Sequence, residues 1–377
     1  MKTSFMRLLA ALAVLLLFLT AGVQAQAYRS TEIHPDGSVT FRYFAPNAST
    51  VALRLEGVEQ PLVMTKVAAG LWSYTTSPLA PEIYSYHFEV DGQTALDPQS
   101  TNYVANALFH NNWLLLPGAT AQPWEQSAVP HGVLHRHIYT SKVVGGLSEG
   151  QSEYFVYTPP GYDPKAKKPY PVLYLLHGFT DGAEAWTAVG RANLILDNLI
   201  AAGKATPMVM VMPLGYGEMS FLASGFASWE SEAAIRGNIE GFRQALLTEV
   251  MPRVESEYRV SREARGRAIA GLSMGGLESL AVGLSHPETF GWVGGFSSAL
   301  SRVSVQDYFG AIKATPQRRL LWIACGRDEE LIDSNRDFIA WLKQRNIEAT
   351  AVETPGMHTW MVWRDNLVHF APLLFRQ

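Results

Sequence analysis

One turn constrains this chain more than any other feature. Gly271-Leu272-Ser273-Met274-Gly275-Gly276 fits the pattern G-x-S-x-G. An apolar run, Arg267-Ala268-Ile269-Ala270, precedes it and reads as a strand, and Gly275 through Leu284 reads as a helix. The pattern alone arises by chance, so its setting is what makes it specific. A serine on a sharp strand-to-helix turn has its hydroxyl lifted clear of the backbone, and glycines must flank it because side chains would collide there. The helix N-terminus behind it favours developing negative charge. Ser273 is therefore the candidate nucleophile.

The surroundings agree with such a turn. From about His131 onward, apolar runs at Val172–Leu176, Met208–Met212, Ala268–Ala270 and Leu320–Cys325 alternate with helical stretches near 191–202, 238–258, 275–285 and 335–345. That texture predicts an α/β domain with a mostly parallel central sheet, covered on both faces. The first hundred residues read differently. Val39, Phe41 and Tyr43 alternate with Thr40 and Arg42, and Val51, Leu53 and Leu55 and then Tyr84, Tyr86, Phe88 and Val90 repeat the period of two. Asp36-Gly37, Pro46-Asn47 and Asp91-Gly92 punctuate these runs, which predicts a small antiparallel β-sandwich of the immunoglobulin-like kind. The expected division is a sandwich over 28–117, a linker over 118–130 and an α/β domain over 131–377.

The remaining chemistry follows from chain order. Leu175-Leu176-His177-Gly178-Phe179 ends an earlier strand, where a loop supplies one backbone N–H of an oxyanion hole and the residue after the serine supplies the other. Phe179 and Met274 are the expected donors. His177 fixes that loop and stands as a candidate on the substrate side. The base should follow an acid near the C-terminus, and His358, in a loop before a terminal helix, fits. The acid belongs just past the penultimate strand, in Gly326-Arg327-Asp328-Glu329-Glu330, where Asp328 and Glu329 both qualify. Trp360 and Trp186 are candidate pocket residues, Trp363 a weaker one, and Trp72 and Tyr74 read as core of the sandwich.

Bulk properties exclude more than they select. The N-terminus has Lys2 and Arg7, an apolar run from Leu8 to Leu19 and a small-residue exit at Val23-Gln24-Ala25, which predicts a signal peptide cleaved after Ala25 and a secreted or periplasmic product. The run is nearer a dozen residues than the roughly 20 a membrane span needs. The single cysteine, Cys325, permits no internal disulfide and lies in an apolar run. With 30 basic against 34 acidic residues and no basic cluster, neither nucleic acid nor a membrane surface is an expected partner. His131, His135 and His137 lack the Cys or carboxylate company of a metal site, so no metal or cofactor is expected.

From about Val129 to the C-terminus the chain resembles the carbohydrate esterase family of feruloyl and acetylxylan esterases. The resemblance rests on Val129-Pro130-His131-Gly132, Tyr157-Thr158-Pro159-Pro160-Gly161-Tyr162, the His177-Gly178 segment, the Ala270–Gly276 turn and His358-Thr359-Trp360. It implies an α/β-hydrolase fold and hydrolysis of feruloyl or acetyl esters on a plant cell-wall polysaccharide such as arabinoxylan. The family places its acid three residues after the glycine as aspartate; that position here is Glu329, which is preferred over Asp328 on spacing. The N-terminal unit resembles the glycogen-enzyme type of carbohydrate-binding domain through Gly70-Leu71-Trp72 and Tyr84–Gly92, with Pro81-Glu82 where Pro-Gly is usual. If it were such a tethered module, its deletion would spare small esters. A siderophore trilactone esterase and an acyltransferase using the same triad are the alternative readings.

Overall fold

The computed structural model describes residues 28–376, so the signal-peptide reading of residues 1–25 lies outside the described residues. The N-terminal unit consists of short strands: β1 (Thr31–Ile33), β2 (Val39–Phe44), β3 (Val51–Leu55), β4 (Leu62–Val63), β5 (Thr65–Ala68), β6 (Leu71–Thr75), β7 (Glu82–Val90), β8 (Gln93–Ala95), β9 (Tyr103–Val104) and β10 (Asn111–Leu116). They form two antiparallel sheets, β1-β2-β6-β5 and β4-β3-β7-β10-β9, with β8 paired to β7. Val39 and Phe41 from the first sheet share one core with Val51, Leu53, Leu55, Tyr84, Tyr86 and Phe88 from the second. The alternation seen in the sequence is the cause, because every second side chain of β3 and β7 turns into that core. Trp72 is buried there and donates its indole N–H to the Ala45 carbonyl at 3.0 Å.

The second unit is built on an eight-stranded sheet ordered β11-β12-β14-β13-β15-β16-β17-β18. Its strands are β11 (Val133–Thr140), β12 (Gln151–Thr158), β13 (Val172–Leu176), β14 (Val209–Pro213), β15 (Arg267–Leu272), β16 (Trp292–Phe296), β17 (Leu320–Gly326) and β18 (Thr350–Thr354). The sheet is mixed, which refines the expectation of a mostly parallel one. β14 through β18 pair in parallel, whereas β11 with β12 and β12 with β14 are antiparallel. The connection from β11 to β12 is too short to hold a crossover helix, so those strands must run in opposite directions. The central strands are apolar throughout because both faces are covered. Val172, Tyr174 and Leu176 of β13 enter one apolar layer, while Leu173 and Leu175 enter the other.

The helices Ala192–Ala201, Glu232–Ala245, Met274–Ser285, Ile332–Gln344 and Trp360–Phe370 cover those faces. Among the described residues no helix is long and apolar enough to cross a membrane. The segment expected as a linker is packed against the second unit: Trp124 is buried, and Asn198 donates to the Pro123 and Glu125 carbonyls at 2.8 and 2.9 Å.

Candidate active site

The turn at Ser273 is held in a conformation that an L-residue rarely adopts, with φ 53° and ψ −112°. Such a backbone is strained and persists only where the surroundings over-determine it. Here the Ser273 N–H donates to the Phe296 carbonyl at 2.8 Å, and the Ala299 N–H donates back to the Ser273 carbonyl at 3.1 Å. The flanking glycines are obligatory. A Cβ at Gly271 would lie 2.5 Å from the Gly275 carbonyl oxygen, and one at Gly275 would lie 2.4 Å from that of His177.

β17 and β18 bring two more groups to this serine. His358 lies in the loop after β18, with Nε2 at 3.0 Å from Ser273 Oγ and Nδ1 at 2.8 Å from Glu329 Oε2. The carboxylate accepts from Nδ1–H, which leaves Nε2 as the acceptor for the serine hydroxyl. Burial alone would raise the Glu329 carboxyl, but hydrogen bonding from His358, the charge of that ring, and bonds from Cys325 and Ser297 outweigh burial and hold it below the usual range. The Cys325 thiol donates to Glu329 Oε1, as does the Gly326 N–H at 3.1 Å. Asp328 has another task. Its Oδ2 accepts from the Gly356 N–H at 3.1 Å, which fastens the loop after β17 to the loop that carries His358.

The loop after β13 passes beside the serine. His177 is buried, and its ring is locked by the Gly215 N–H donating to Nε2 at 2.8 Å and by Nδ1–H donating to the Gly178 carbonyl at 2.8 Å. Burial pushes its pKa down to about 4, so it stays neutral. It faces the loop backbone and does not line the cavity, which corrects its candidacy on the substrate side. Beneath lies Glu278, fully buried, its carboxyl pushed well above the usual range by burial while Asn238 donates to it at 3.1 Å. Phe179 lines the cavity beside Ser273, and Met274 is the first residue of the helix that follows the serine; theirs are the two backbone N–H groups expected to receive a negative oxygen.

Ser273 and His358 open into a cavity of about 520 Å³, within the range of small-molecule sites. One wall is aromatic and comes mainly from the second unit: Phe179, Phe226, Trp229, Trp360 and Trp363. The other comes from the N-terminal sheet: Arg54, Glu56, Ser85, His87 and Asn111. Arg54, Ser85 and His87 alternate with the core positions of β3 and β7, so the period of two that buries Tyr84, Tyr86 and Phe88 also turns Ser85 and His87 to the cleft. That signal was in the sequence; what it faced was not. Phe226 and Trp229 lie in a six-residue 3-10 helix, Gly225–Glu230, too short for a periodicity to mark it. Trp186 does not reach the cavity. It is fully buried, edge-on to Trp360, with its N–H on the Leu176 carbonyl at 2.8 Å, so its expected pocket role is replaced by a packing one.

Of the three histidines weighed for a metal, His135 and His137 lie side by side, 6.4 Å between ring centres. His131 pairs with Asp197 at 2.9 Å, and His137 with the Tyr258 hydroxyl at 2.6 Å. Among the described residues no group of three His, Cys, Asp or Glu side chains is placed to hold a metal ion.

Comparison with known proteins adds relatives. An endo-1,4-β-xylanase/feruloyl esterase of Xylanibacter ruminicola is 29% identical over 352 residues, which cover 91% of this chain and 46% of the relative. The chain thus spans less than half of that relative's length. An acetyl esterase of Caldicellulosiruptor saccharolyticus is 24% identical over 232 residues, 52% of this chain and 80% of its own. Among solved structures, a ferulic acid esterase of Anaeromyces mucronatus superposes with TM-score 0.57 at 24% identity, over 67% of this chain and 93% of that one. The enterobactin esterase of Shigella flexneri gives 0.69 at 20% identity, over 93% of this chain and 98% of its own. These likenesses show the α/β-hydrolase fold. The family model described as "Putative esterase" covers residues 148–374, more than half of the chain and all of Ser273, Glu329 and His358, so the protein belongs to that esterase family.

Proposed function

We propose that this esterase removes hydroxycinnamoyl groups such as ferulate from a plant cell-wall polysaccharide, outside the cytoplasm. The observation that carries the reading is the hydrogen-bonded series Glu329–His358–Ser273 at the foot of a cavity whose one wall is aromatic. Ser273 attacks the acyl carbonyl while His358 Nε2 takes its proton, and Glu329 holds the ring in the required tautomer. The N–H groups of Phe179 and Met274 receive the oxyanion. His358 then protonates the departing sugar hydroxyl, and water releases the acyl group by the same route. A flat aromatic acyl group suits Phe179, Phe226 and Trp229, and a sugar suits the polar wall of Arg54, Ser85, His87 and Asn111. The similarity to the xylanase/feruloyl esterase over 91% of the chain supports this substrate class.

A second reading, hydrolysis of a catecholate trilactone, is favoured by the fold likeness to the enterobactin esterase over 93% of the chain. Methyl ferulate, acetylated xylan and such a trilactone, assayed side by side with wild type and Ser273→Ala, separate the two. The first reading expects turnover highest on methyl ferulate and lost by on the order of 10⁶ in kcat in the variant. Trilactone turnover above ferulate turnover would select the second reading, and an active Ser273→Ala enzyme would remove both. Export expects the mature chain to begin at Gln26, which N-terminal sequencing of the secreted protein reads directly.

A further inference from the structure

The loop that carries Phe179 is not held by its own unit alone. Thr180, the next residue, is β-branched and has φ 74°, a strained conformation that persists only where its surroundings impose it. Two groups impose it. The Tyr216 hydroxyl accepts from the Thr180 N–H at 2.7 Å, and the Thr180 carbonyl accepts from the Ala107 N–H at 2.8 Å. Ala107 belongs to the segment between β9 and β10 of the N-terminal unit. Its neighbour Asn106 forms an isolated antiparallel bridge with Asp181 and donates its side-chain N–H to Asp181 Oδ1 at 2.8 Å. The Asp181 carboxyl is buried and also takes a backbone hydrogen bond from Gly178, at the other end of the same short loop. Asn106 is itself fixed, since its Oδ1 accepts from the N–H groups of Leu108 and Phe109 at 3.0 and 2.8 Å.

We infer that Asn106, from the N-terminal unit, is a positioning residue for the oxyanion hole: through Asp181 and Thr180 it fixes the direction of the Phe179 N–H. The inference rests on Phe179 being an oxyanion donor. It makes the N-terminal unit part of the catalytic apparatus for every ester, including those too small to touch the polar wall. Losing a whole oxyanion donor costs roughly a hundredfold to a thousandfold in kcat, so a misdirected one should cost roughly tenfold to a hundredfold.

A side-chain exchange isolates the contact. Asn106→Asp keeps the acceptor for Leu108 and Phe109 but, assayed at pH 8 where Asp181 is ionised, sets one carboxylate against another. Asp181→Asn still offers Asn106 an acceptor and should lose at most a few-fold. The double variant restores one N–H···O bond with the two partners exchanged. The readouts are kcat and KM for 4-nitrophenyl acetate and the inhibition constant of a small alkylboronic acid, whose tetrahedral adduct on Ser273 places an oxygen in the hole. The expected pattern is a fall in kcat for Asn106→Asp with KM within about twofold, a matching rise in the boronate constant, and recovery of both in the double variant. Unchanged kcat and boronate binding in Asn106→Asp, or no recovery in the double variant, overturns the inference. Should Asn106→Asp fail to fold, Asn106→Ser, too short to reach Asp181 but able to accept from Leu108, carries the same comparison against wild type. A wild-type enzyme that binds no boronate, or an active Ser273→Ala, would instead overturn the oxyanion and nucleophile assignments themselves.

Discussion

The two walls of the cleft were made by different rules. The wall of the second unit grows from the loops and short helical segments beyond the strands of a sheet buried on both faces, and its side chains are aromatic: Phe179, Phe226, Trp229, Trp360. The wall of the N-terminal unit is the outer face of a sheet whose inner face is its core, and its side chains are Arg54, Ser85, His87 and Asn111. The first must lie beyond the strands, on loops and helix ends, because strand interiors there have no free face. The second needs only the alternation that any half-buried strand provides. An existing fold can thus acquire a polar, sugar-compatible surface by docking a sheet beside it, provided the docking is rigid. The contacts here are buried and hydrogen-bonded: Ile83 at the start of β7 is buried in the apolar layer of the second unit, the Trp360 backbone N–H donates to Glu56 at 3.0 Å, and Arg364 reaches across the boundary.

The division of labour is broken most severely on the aromatic side, at the acid. Glu329→Gln should lose roughly four orders of magnitude in kcat, because the histidine tautomer is no longer fixed. Asp328→Asn should retain most activity, since its role is to tether Gly356. Single-turnover kinetics on methyl ferulate checks both, and a crippled Asp328→Asn beside a healthy Glu329→Gln would reverse the assignment. The next largest effect concerns the boundary. Arg364 is fully buried, donating to the Val189 carbonyl at 3.0 Å, the Ile83 carbonyl at 2.8 Å and Glu82 at 3.1 Å. Arg364→Met leaves these acceptors unpaired and should cost about 3–5 kcal/mol in urea unfolding. A tethered, removable module would instead leave the catalytic unit's stability unchanged.

The walls themselves give a smaller, differential effect. Phe226 is exposed at the mouth, 5.4 Å between ring centres from Phe179 and 6.0 Å from Phe109 of the N-terminal unit. Phe226→Ala should lower kcat/KM for methyl ferulate roughly tenfold or more and leave acetyl esters within a few-fold, the value of one buried aromatic contact. His87→Ala should do the reverse, raising KM a few-fold on feruloylated xylan and not on methyl ferulate. Equal effects of either change on both substrates would dissolve the distinction between an acyl wall and a sugar wall.

Much of this was legible beforehand, and unevenly. Ser273 and His358 could be read because a nucleophile turn and a C-terminal histidine have local signatures, whereas Asp328 and Glu329 both stayed open, with Glu329 preferred on the spacing of the family the chain resembles. The oxyanion loop was legible as a position but not as a structure, since its supports, Asn106 and Tyr216, are remote in sequence. Trp186 and Trp360 look alike in the sequence, and only the packing tells one from the other. The N-terminal strands were readable by their period of two, but alternation gives a polar face without naming its neighbour. Ile83 was the available clue. It puts an apolar residue on the polar face of β7, which is what a strand does when it buries its second side against another unit.

The smallest effect concerns the joint between the walls and appears in stability. Burial pushes the Asp181 carboxyl from 3.8 up to about 7, with the Glu184 charge adding to the rise and the bonds from Asn106 and the Gly178 backbone opposing it. Tyr216 also contacts this residue, but through the Asp181 backbone carbonyl, to which its hydroxyl donates at 3.3 Å. In the unfolded chain Asp181 ionises near pH 4, while in the folded protein it keeps its proton to about pH 7. The folded state therefore holds this proton across that interval, and the contribution of Asp181 to stability falls as pH rises from about 4 to about 7, then levels off. Asp181→Asn removes the titration but keeps the shape and an acceptor for Asn106. Relative to wild type it should gain little at pH 4 and a few degrees in Tm at pH 8. Thermal unfolding of both proteins at these two pH values measures the difference. A variant that is less stable at pH 8 would mean that the ionised carboxylate, not its burial, dominates, and that the joint is held by charge.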